Sequence, residues 1–579
     1  MNDLLKNDNG FKKTLKLGFW VNFGLNAFML GFAGILQTYA TSSPVDASTK
    51  GWLQVASAAV LCFILDRTQS NTSVSGVSNL SKLKTSFIYG FVFSICWLSS
   101  MFWWIYVSLH TYGGLPTFLA VISVLLLAGA LSLYYAVACA AYVLVGKHLP
   151  NPMRWILFGT LWTTAELARG QWFTGFPWGS VGYAHIDNAL KLVAPLGGVY
   201  TIGGVAMSLA SMCSWATVIA LKKLSLRDLK LRHVKLKLNN TRWLFALLVT
   251  ATLTVPLPSE IKVLENLRDS EDSFTAPISF SLLQGNIGQE IKYGPEGLKA
   301  LNWYKQEIID AKTNWVITPE TALPVLKKYL PPDYLSDIVQ NLKLPQNEKK
   351  SVLLGVIGNS QMGYTNSAEG INASGEVYLY SKHHLVPFGE FIPPWFKWFT
   401  DMMNIPLGSF TRGGEVQPSW EWGGQNIGVN ICYEDVFGEE IASSFDSRRE
   451  NQPTVLVNMS NIGWFGPLLA VEQHLNASRM RAIEMHRPVL RATNTGATAY
   501  IDENGYVLGL LPKYEQGVLV GEIKGIIGRP TVYASWSGKY GLFPIWFICF
   551  IYMLICITIA RKKFKRGVLI HNTRNHQNP

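Results

Sequence analysis

The stretch QNIGVNICYED (residues 425–435) reads as a strand that ends at Cys432, with carboxylates at Glu434 and Asp435 just beyond it. Cys432 is the only cysteine between Glu260 and Tyr540. Cys62, Cys96, Cys139, Cys213, Cys549 and Cys556 lie in strongly apolar stretches, where cysteine is most simply a small hydrophobe. The set is therefore no disulfide framework. A lone thiol in the polar part of the chain, beside carboxylates, reads as a nucleophile.

Outward from that strand the texture repeats. PISFSLLQGNI (277–287), NWVITPETALP (314–324), SVLLGVIGNS (351–360) and PTVLVNMSN (453–461) are strand-like runs that end in turns. Residues 298–312 read as an amphipathic helix, and EQHLNASRMRAIEMHR (472–487) reads as a helix. GEVYLYSKHHLVPFGEF (375–391) is a strand followed by a loop, and PVLRATNTGATAYID (488–502) a strand entering a hairpin. This alternation predicts a layered α/β domain. Glu320, Lys382, Glu390, Cys432 and Glu434 all fall at strand ends or in the loops after them, the edge that carries active residues in α/β folds.

The rest of the chain is of another kind. Apolar residues make up 49% and charged residues only 15%, too greasy for a water-soluble enzyme of this length. Apolar runs near 17–40, 51–65, 86–109, 117–146, 154–168, 191–221, 243–257 and 541–560 predict about eight membrane helices. The second and fifth are the weakest. With eight, the N-terminal lysines, Arg67 with Lys82 and Lys84, Lys147 with Arg154, the basic link 222–242 and RKKFKR (561–566) all share one side. The positive-inside rule makes that side the cytoplasm. The first run is expected as a retained span rather than a cleaved signal, being long for one. The predicted domains are membrane helices in 1–257, an extracytoplasmic domain in 258–540, a last span in 541–560 and a basic cytoplasmic tail in 561–579. The net charge of +12 is then topology charge beside anionic lipid, and no nucleic-acid partner is expected. His383 and His384 lack companions at zinc spacing, so no metal is expected.

Taken together, QGNI (284–287), PETALP (319–324), KHHLVPFGEFIP (382–393), NICYED (430–435), NMSNIGWFG (458–466) and RMRAIEMHRPVLRATNTG (479–496) resemble the nitrilase superfamily. More closely they resemble its bacterial apolipoprotein N-acyltransferase family. Glu166 with Arg169, and FTGFPWGSVGY (173–183), extend the resemblance into the membrane half. The resemblance implies an αββα sandwich and a Glu-Lys-Cys triad. Glu320 would be the general base, Lys382 the transition-state cation and Cys432 the nucleophile, with Glu390, Tyr433 and Glu434 in support. Substrate contacts are expected at Tyr293, at Phe388 and Trp464 in aromatic stretches, at Trp178 in a glycine-rich loop, and at Glu166 and Arg169, although a structural ion pair fits the last two equally. The chain departs from the family pattern at Thr318 and Tyr293, where tryptophan is common. The implied reaction moves an acyl chain from a phospholipid, through a thioester, to the α-amine of a diacylated apolipoprotein. The expected setting is the bacterial inner membrane with the catalytic domain in the periplasm, as a monomer needing no cofactor.

The chemistry suits these residue types. A thioester splits a difficult transfer into two easier steps. Lys382 and the Tyr433 N–H would face the oxyanion, and Lys382 is expected to favour the Cys432 thiolate. The aromatic stretch from Phe388 to Phe399 is expected to form a lid dipping into lipid, with Trp464 and Phe465 a second such element. Two other functions remain open on sequence: a membrane-anchored amidase or acyl hydrolase with the same triad, and a non-enzymatic membrane module.

Overall fold

The computed structural model describes residues 2–70, 79–224, 242–255, 273–289, 297–392 and 410–575. Its N-terminal half is helical: α1 (Asn2–Thr41), α2 (Gly51–Ser70), α3 (Asn79–Met101), α4 (Thr117–Gly146), α5 (Asn151–Gln171), α6 (Ala194–Leu224) and α7 (Arg242–Thr254). Each apolar stretch in 1–257 that predicted a span coincides with one of these. Among the described residues, length and apolarity alone qualify Val21–Thr41, Thr117–Gly146, Ala189–Leu221 and the C-terminal Phe543–Lys565 as crossings. The third span is not continuous as expected: α3 is followed by a 59° bend and a short segment, Ile105–Tyr112. The bend presents Trp104 to the C-terminal half, where its indole N–H donates to Gln473 at 3.1 Å.

α2, α5 and α7 fall short of the length and apolarity test. α7 has only 13 residues. α2 and α5 carry polar groups that face protein rather than lipid. Gln54 donates toward the Met207 sulfur, Ser57 toward the Ala33 carbonyl, and Glu166 and Arg169 are buried. A polar group inside a helical bundle is tolerated when it finds a partner there.

The second half holds a short antiparallel pair, β1 (Ser273–Phe274) with Ile526–Ile527, and two six-stranded sheets. β2 (Ile278–Gln284), β3 (Trp315–Ile317) and β4 (Ser351–Ser360) run parallel, continued antiparallel by β5 (Gly363–Asn372) and β6 (Val377–Ser381). In the other sheet β8 (Gln425–Ile431), β9 (Val455–Ser460) and β10 (Val489–Thr493) run parallel, with β7 (Trp420–Trp422) and β11 (Ala499–Ile501) antiparallel beside them. Strand period sorts the side chains. In β3, Trp315 and Ile317 enter the inter-sheet core with Val429, Val455 and Leu490. Val316 points the other way, onto α8 (Gly297–Asp310) and α9 (Tyr334–Leu342).

The other sheet is covered by α10 (Ala470–Met485), which carries two glutamates, two arginines and a histidine yet is buried along its whole length. One face lies on the sheet through Val471, Leu475 and Met485. The opposite face joins the membrane half's core through Ala470, Ala477 and Met480. Its polar residues are paired across that junction. Asn476 donates to the Thr41 and Ala47 carbonyls at 3.2 and 2.8 Å, Arg479 pairs with Asp187 at 2.5 Å, and Glu484 accepts from Val199 N at 2.7 Å. α11 (Val532–Tyr540) leads into α12 (Phe543–Asn575), which continues as helix beyond residue 560 into the basic tail.

Candidate active site

β3, β6 and β8 end at one edge of the two sheets, and Glu320, Lys382 and Cys432 follow them. Glu320 and Lys382 are brought into contact: Lys382 Nζ lies 3.2 Å from Glu320 Oε1 and 2.9 Å from Glu390 Oε2. The Asn366 amide donates to both carboxylates, at 2.6 Å to Glu320 and 2.7 Å to Glu390. The Asn461 N–H, just after β9, closes the group by donating to Glu320 Oε2 at 2.8 Å. The Asn461 backbone also favours the Cys432 thiolate, so Asn461 neighbours both Glu320 and Cys432. Lys382 is 1% exposed.

Two electrostatic effects follow. Burial works to lower the Lys382 pKa, but the Glu320 and Glu390 charges outweigh it, and the net shift is upward. Lys382 is therefore a fixed cation. Burial pushes the Cys432 thiol up, the Glu320 charge adds to this, and Lys382 only partly opposes it. Lys382 favours the thiolate, as expected, while desolvation works against it. A proton acceptor is needed, and Glu320 is the carboxylate beside it.

Cys432 itself has φ +53°, the left-handed region. A non-glycine residue there costs about 1–3 kcal/mol and persists only when its surroundings fix it. The turn continues into a short 3-10 helix, Cys432–Val436. Glu434 pins it: its carboxylate accepts from the Ile431, His383 and His384 amides at 2.6, 2.7 and 3.1 Å and from the Tyr380 hydroxyl at 2.9 Å. Glu434 thus ties the nucleophile turn to the Lys382 loop. Glu390 has a matching part, accepting from the Val386 amide at 2.8 Å. Tyr433 donates to the Gly175 carbonyl of the membrane half at 3.2 Å.

The position of Glu320 depends on a close backbone approach. A β-carbon at Gly355 would sit 2.1 Å from the Pro319 carbonyl oxygen and 3.0 Å from Glu320 Cα. Gly355→Ala is therefore expected to displace Glu320 and lower turnover on the order of 10²-fold, with near-native secondary structure. Steady-state kinetics beside circular dichroism checks this; unchanged turnover would show that Glu320 tolerates the shift.

The other expected substrate-contact residues are placed variously. Trp178 is buried beside the nucleophile turn, its indole N–H donating to Gln473 at 2.7 Å and its ring 6.4 Å from that of Tyr433. Trp464 lies farther out, packed edge-on against Tyr112 at 5.3 Å. Its neighbour Phe465 reaches Trp104 at 4.3 Å, so this pair docks on the membrane half. Phe388 is 37% exposed on the loop before Glu390. Arg169 donates to the Phe176 and Trp178 carbonyls at 3.0 and 2.8 Å, and Glu166 accepts from Val181 N at 2.9 Å. Both brace the 173–183 loop from inside, and no direct bond joins them. Tyr293 and the aromatics Trp395, Phe396, Trp398 and Phe399 lie outside the described residues. Sequence reasoning missed Asn366, Asn461, His474 and Arg491. Only the position of Asn461 directly after a strand, like Cys432, signals a site residue.

A carboxyl at the junction gives a pH effect. Glu439 lies near Arg481 and Glu484, with one oxygen lacking a partner. Burial first, then the Glu440 and Glu484 charges, push its pKa up to about 8. Ionising it costs more folded than unfolded, so the cost is absent below about pH 4.5, grows with pH and is complete above about pH 8. Glu439→Gln is expected to raise the melting temperature by a few degrees at pH 8 and not at pH 4.5. Thermal unfolding at the two pH values reads this, and an equal shift at both removes the explanation.

With this geometry in hand, comparison with known proteins is specific. A family model described as the apolipoprotein N-acyltransferase N-terminal domain matches residues 33–212, and a carbon-nitrogen hydrolase model matches residues 282–527. The chain is 42% identical to an apolipoprotein N-acyltransferase of Verminephrobacter eiseniae over 525 residues, covering 88% of this chain and 92% of that protein. It is 38% identical to that of Ralstonia nicotianae over 482 residues, covering 82% and 84%. Among solved structures, a CN-hydrolase superfamily protein from Xanthomonas campestris aligns at TM-score 0.34 and 18% identity, over 43% of this chain and 91% of that one.

Proposed function

The chain belongs to the apolipoprotein N-acyltransferase family, and from that premise we propose how it acylates lipoproteins. The donor is a membrane phospholipid and the acceptor the α-amine of a diacylglyceryl-cysteine. Glu320 takes the Cys432 proton, and the sulfur attacks the ester carbonyl. The oxyanion forms against Lys382 and the Tyr433 N–H. Its collapse expels the lysophospholipid alkoxide, which regains the proton from Glu320. The amine then attacks the thioester, loses its proton to Glu320, and the departing Cys432 sulfur recovers it. The observation that carries this reading is the buried Glu320–Lys382 contact, with Cys432 close enough to feel both charges. An α-amine of ordinary pKa roughly 7.7–8 is partly neutral near pH 7, whereas a lysine amine near 10.4 is not, which favours the N-terminal acceptor.

The membrane arrangement is part of the proposal. Eight crossings, with 1–257 as membrane helices, 258–540 as the periplasmic catalytic domain, 541–560 as the last span and 561–579 as a cytoplasmic tail, keep the basic segments on one side. The protein then sits in the inner membrane, acting as a monomer. Phe388 and Phe391 belong to a loop that enters lipid at the mouth of the site. Bilayer is expected to slow hydrogen exchange over residues 388–392; identical exchange in detergent and bilayer removes the loop from lipid.

The function is tested on the purified full chain with phospholipid and a synthetic diacylated lipopeptide. Triacylated peptide and lysophospholipid in equal amounts are expected. Free fatty acid with unmodified peptide would make the protein a hydrolase instead.

A further inference from the structure

α10 contains a buried histidine that the proposed reaction does not use. His474 Nε2 lies 3.0 Å from the Cys432 carbonyl oxygen, and Nδ1 lies 2.5 Å from an Arg491 guanidinium nitrogen. A carbonyl only accepts and a guanidinium only donates. The two partners therefore fix the ring as the neutral tautomer, with its proton on Nε2. Burial and the Arg491 charge both disfavour a second proton. Arg491 is held in turn by the Asn458 side-chain oxygen at 3.0 Å, Ser478 Oγ at 2.8 Å and the Ala497 carbonyl at 3.1 Å. Above the imidazole, Trp178 stacks at 5.3 Å with ring planes 7° apart.

We propose that His474 is a positioning residue for the nucleophile: clamped between Arg491 and Trp178, it holds the Cys432 carbonyl and so keeps the thiol at its left-handed turn, facing Glu320. Cys432 has φ +53°, a backbone state that a side-chain-bearing residue leaves unless restrained. The other side-chain donor to its carbonyl is Asn458, at a longer 3.4 Å. Both imidazole nitrogens are engaged away from the thiol, so the ring moves no proton in the reaction. The clamp also links the halves of the molecule. Trp178 comes from the membrane half, and its N–H is bound by Gln473, the residue before His474. The seating of the membrane half against α10 thereby sets the attitude of the cysteine.

The role rests on the reading of Cys432 as nucleophile, and one experiment separates the two. Full-length wild type, His474→Gln and His474→Asn are incubated with phospholipid and no acceptor, and acylation of Cys432 is followed by intact mass. The Asn amide still accepts from Arg491 but is too short to reach the Cys432 carbonyl. The Gln amide supplies an N–H close to the place of Nε2. Asn is expected to slow acylation on the order of 10²-fold at unchanged KM for phospholipid, and Gln to stay within about fivefold of wild type. Both should keep the wild-type pH profile and a similar melting temperature. Equal rates for Asn and wild type overturn the proposal. So does loss of a pH limb in Gln, which would make His474 a titrating participant, and so does a loss in Asn accounted for by unfolding. A wild type that forms no adduct overturns the nucleophile assignment itself, and the His474 role with it.

Discussion

Lys382→Met is expected to lower acyl transfer by at least about 10³-fold and to cost roughly 3–5 kcal/mol of stability. Both effects have one source. Lys382 Nζ is bonded to Glu320 and Glu390, whose side chains are only 8% and 11% exposed. Without the ammonium, two carboxylates share a site with Asn366 as the common side-chain donor. Removing one partner of a buried pair leaves an uncompensated charge, which costs more than the pair contributed. The folded state then gains by binding a proton between the two carboxyls, so the variant should be least unstable at low pH. Catalysis fails separately, because the oxyanion loses its cation. Lys382→Met measured with Glu390→Gln in a double-mutant cycle divides the two effects: the second change should restore part of the stability and none of the activity. A cycle that restores activity would remove Lys382 from the oxyanion.

Glu320→Gln is expected to lower transfer by about 10³–10⁴-fold while leaving the fold intact, since the amide oxygen still accepts from Lys382, Asn366 or Asn461. Its pH dependence is the sharper reading. Burial holds the Cys432 thiol protonated and the Glu320 charge adds to that, so the charge-neutral variant has a somewhat more acidic thiol but no base to take its proton. Residual activity should therefore climb with pH, about tenfold per unit, as hydroxide generates the thiolate. A variant whose residual rate is flat with pH would place the proton acceptor elsewhere.

The strands and their terminal residues are legible in the sequence because each strand is short, apolar and closed by a turn, and the chemistry sits at the closures. Glu320, Lys382 and Glu390 are distant in sequence and meet in space for that reason. What the sequence hides is burial. α10 is rich in polar residues, yet they meet protein rather than water, so Gln473, His474, Asn476 and Arg479 carry the junction unseen. The same cause weakens the apolar signal of α2 and α5, since polar residues such as Gln54 and Arg169 point into the bundle. The desolvation that opposes Lys382 at the Cys432 thiol is hidden likewise: charge is visible in a sequence and burial is not. Asn366 carries no local pattern, because an amide that orients a carboxylate resembles any other strand asparagine.

Intact mass spectrometry of the purified full chain, incubated with phospholipid in the absence of acceptor, tests the central claim most directly. The account predicts one added acyl chain, mapped to Cys432, released by hydroxylamine, absent from Cys432→Ala, and discharged when a diacylated lipopeptide is added. Wild-type protein that transfers acyl chains to the lipopeptide while never carrying one on Cys432 would contradict it.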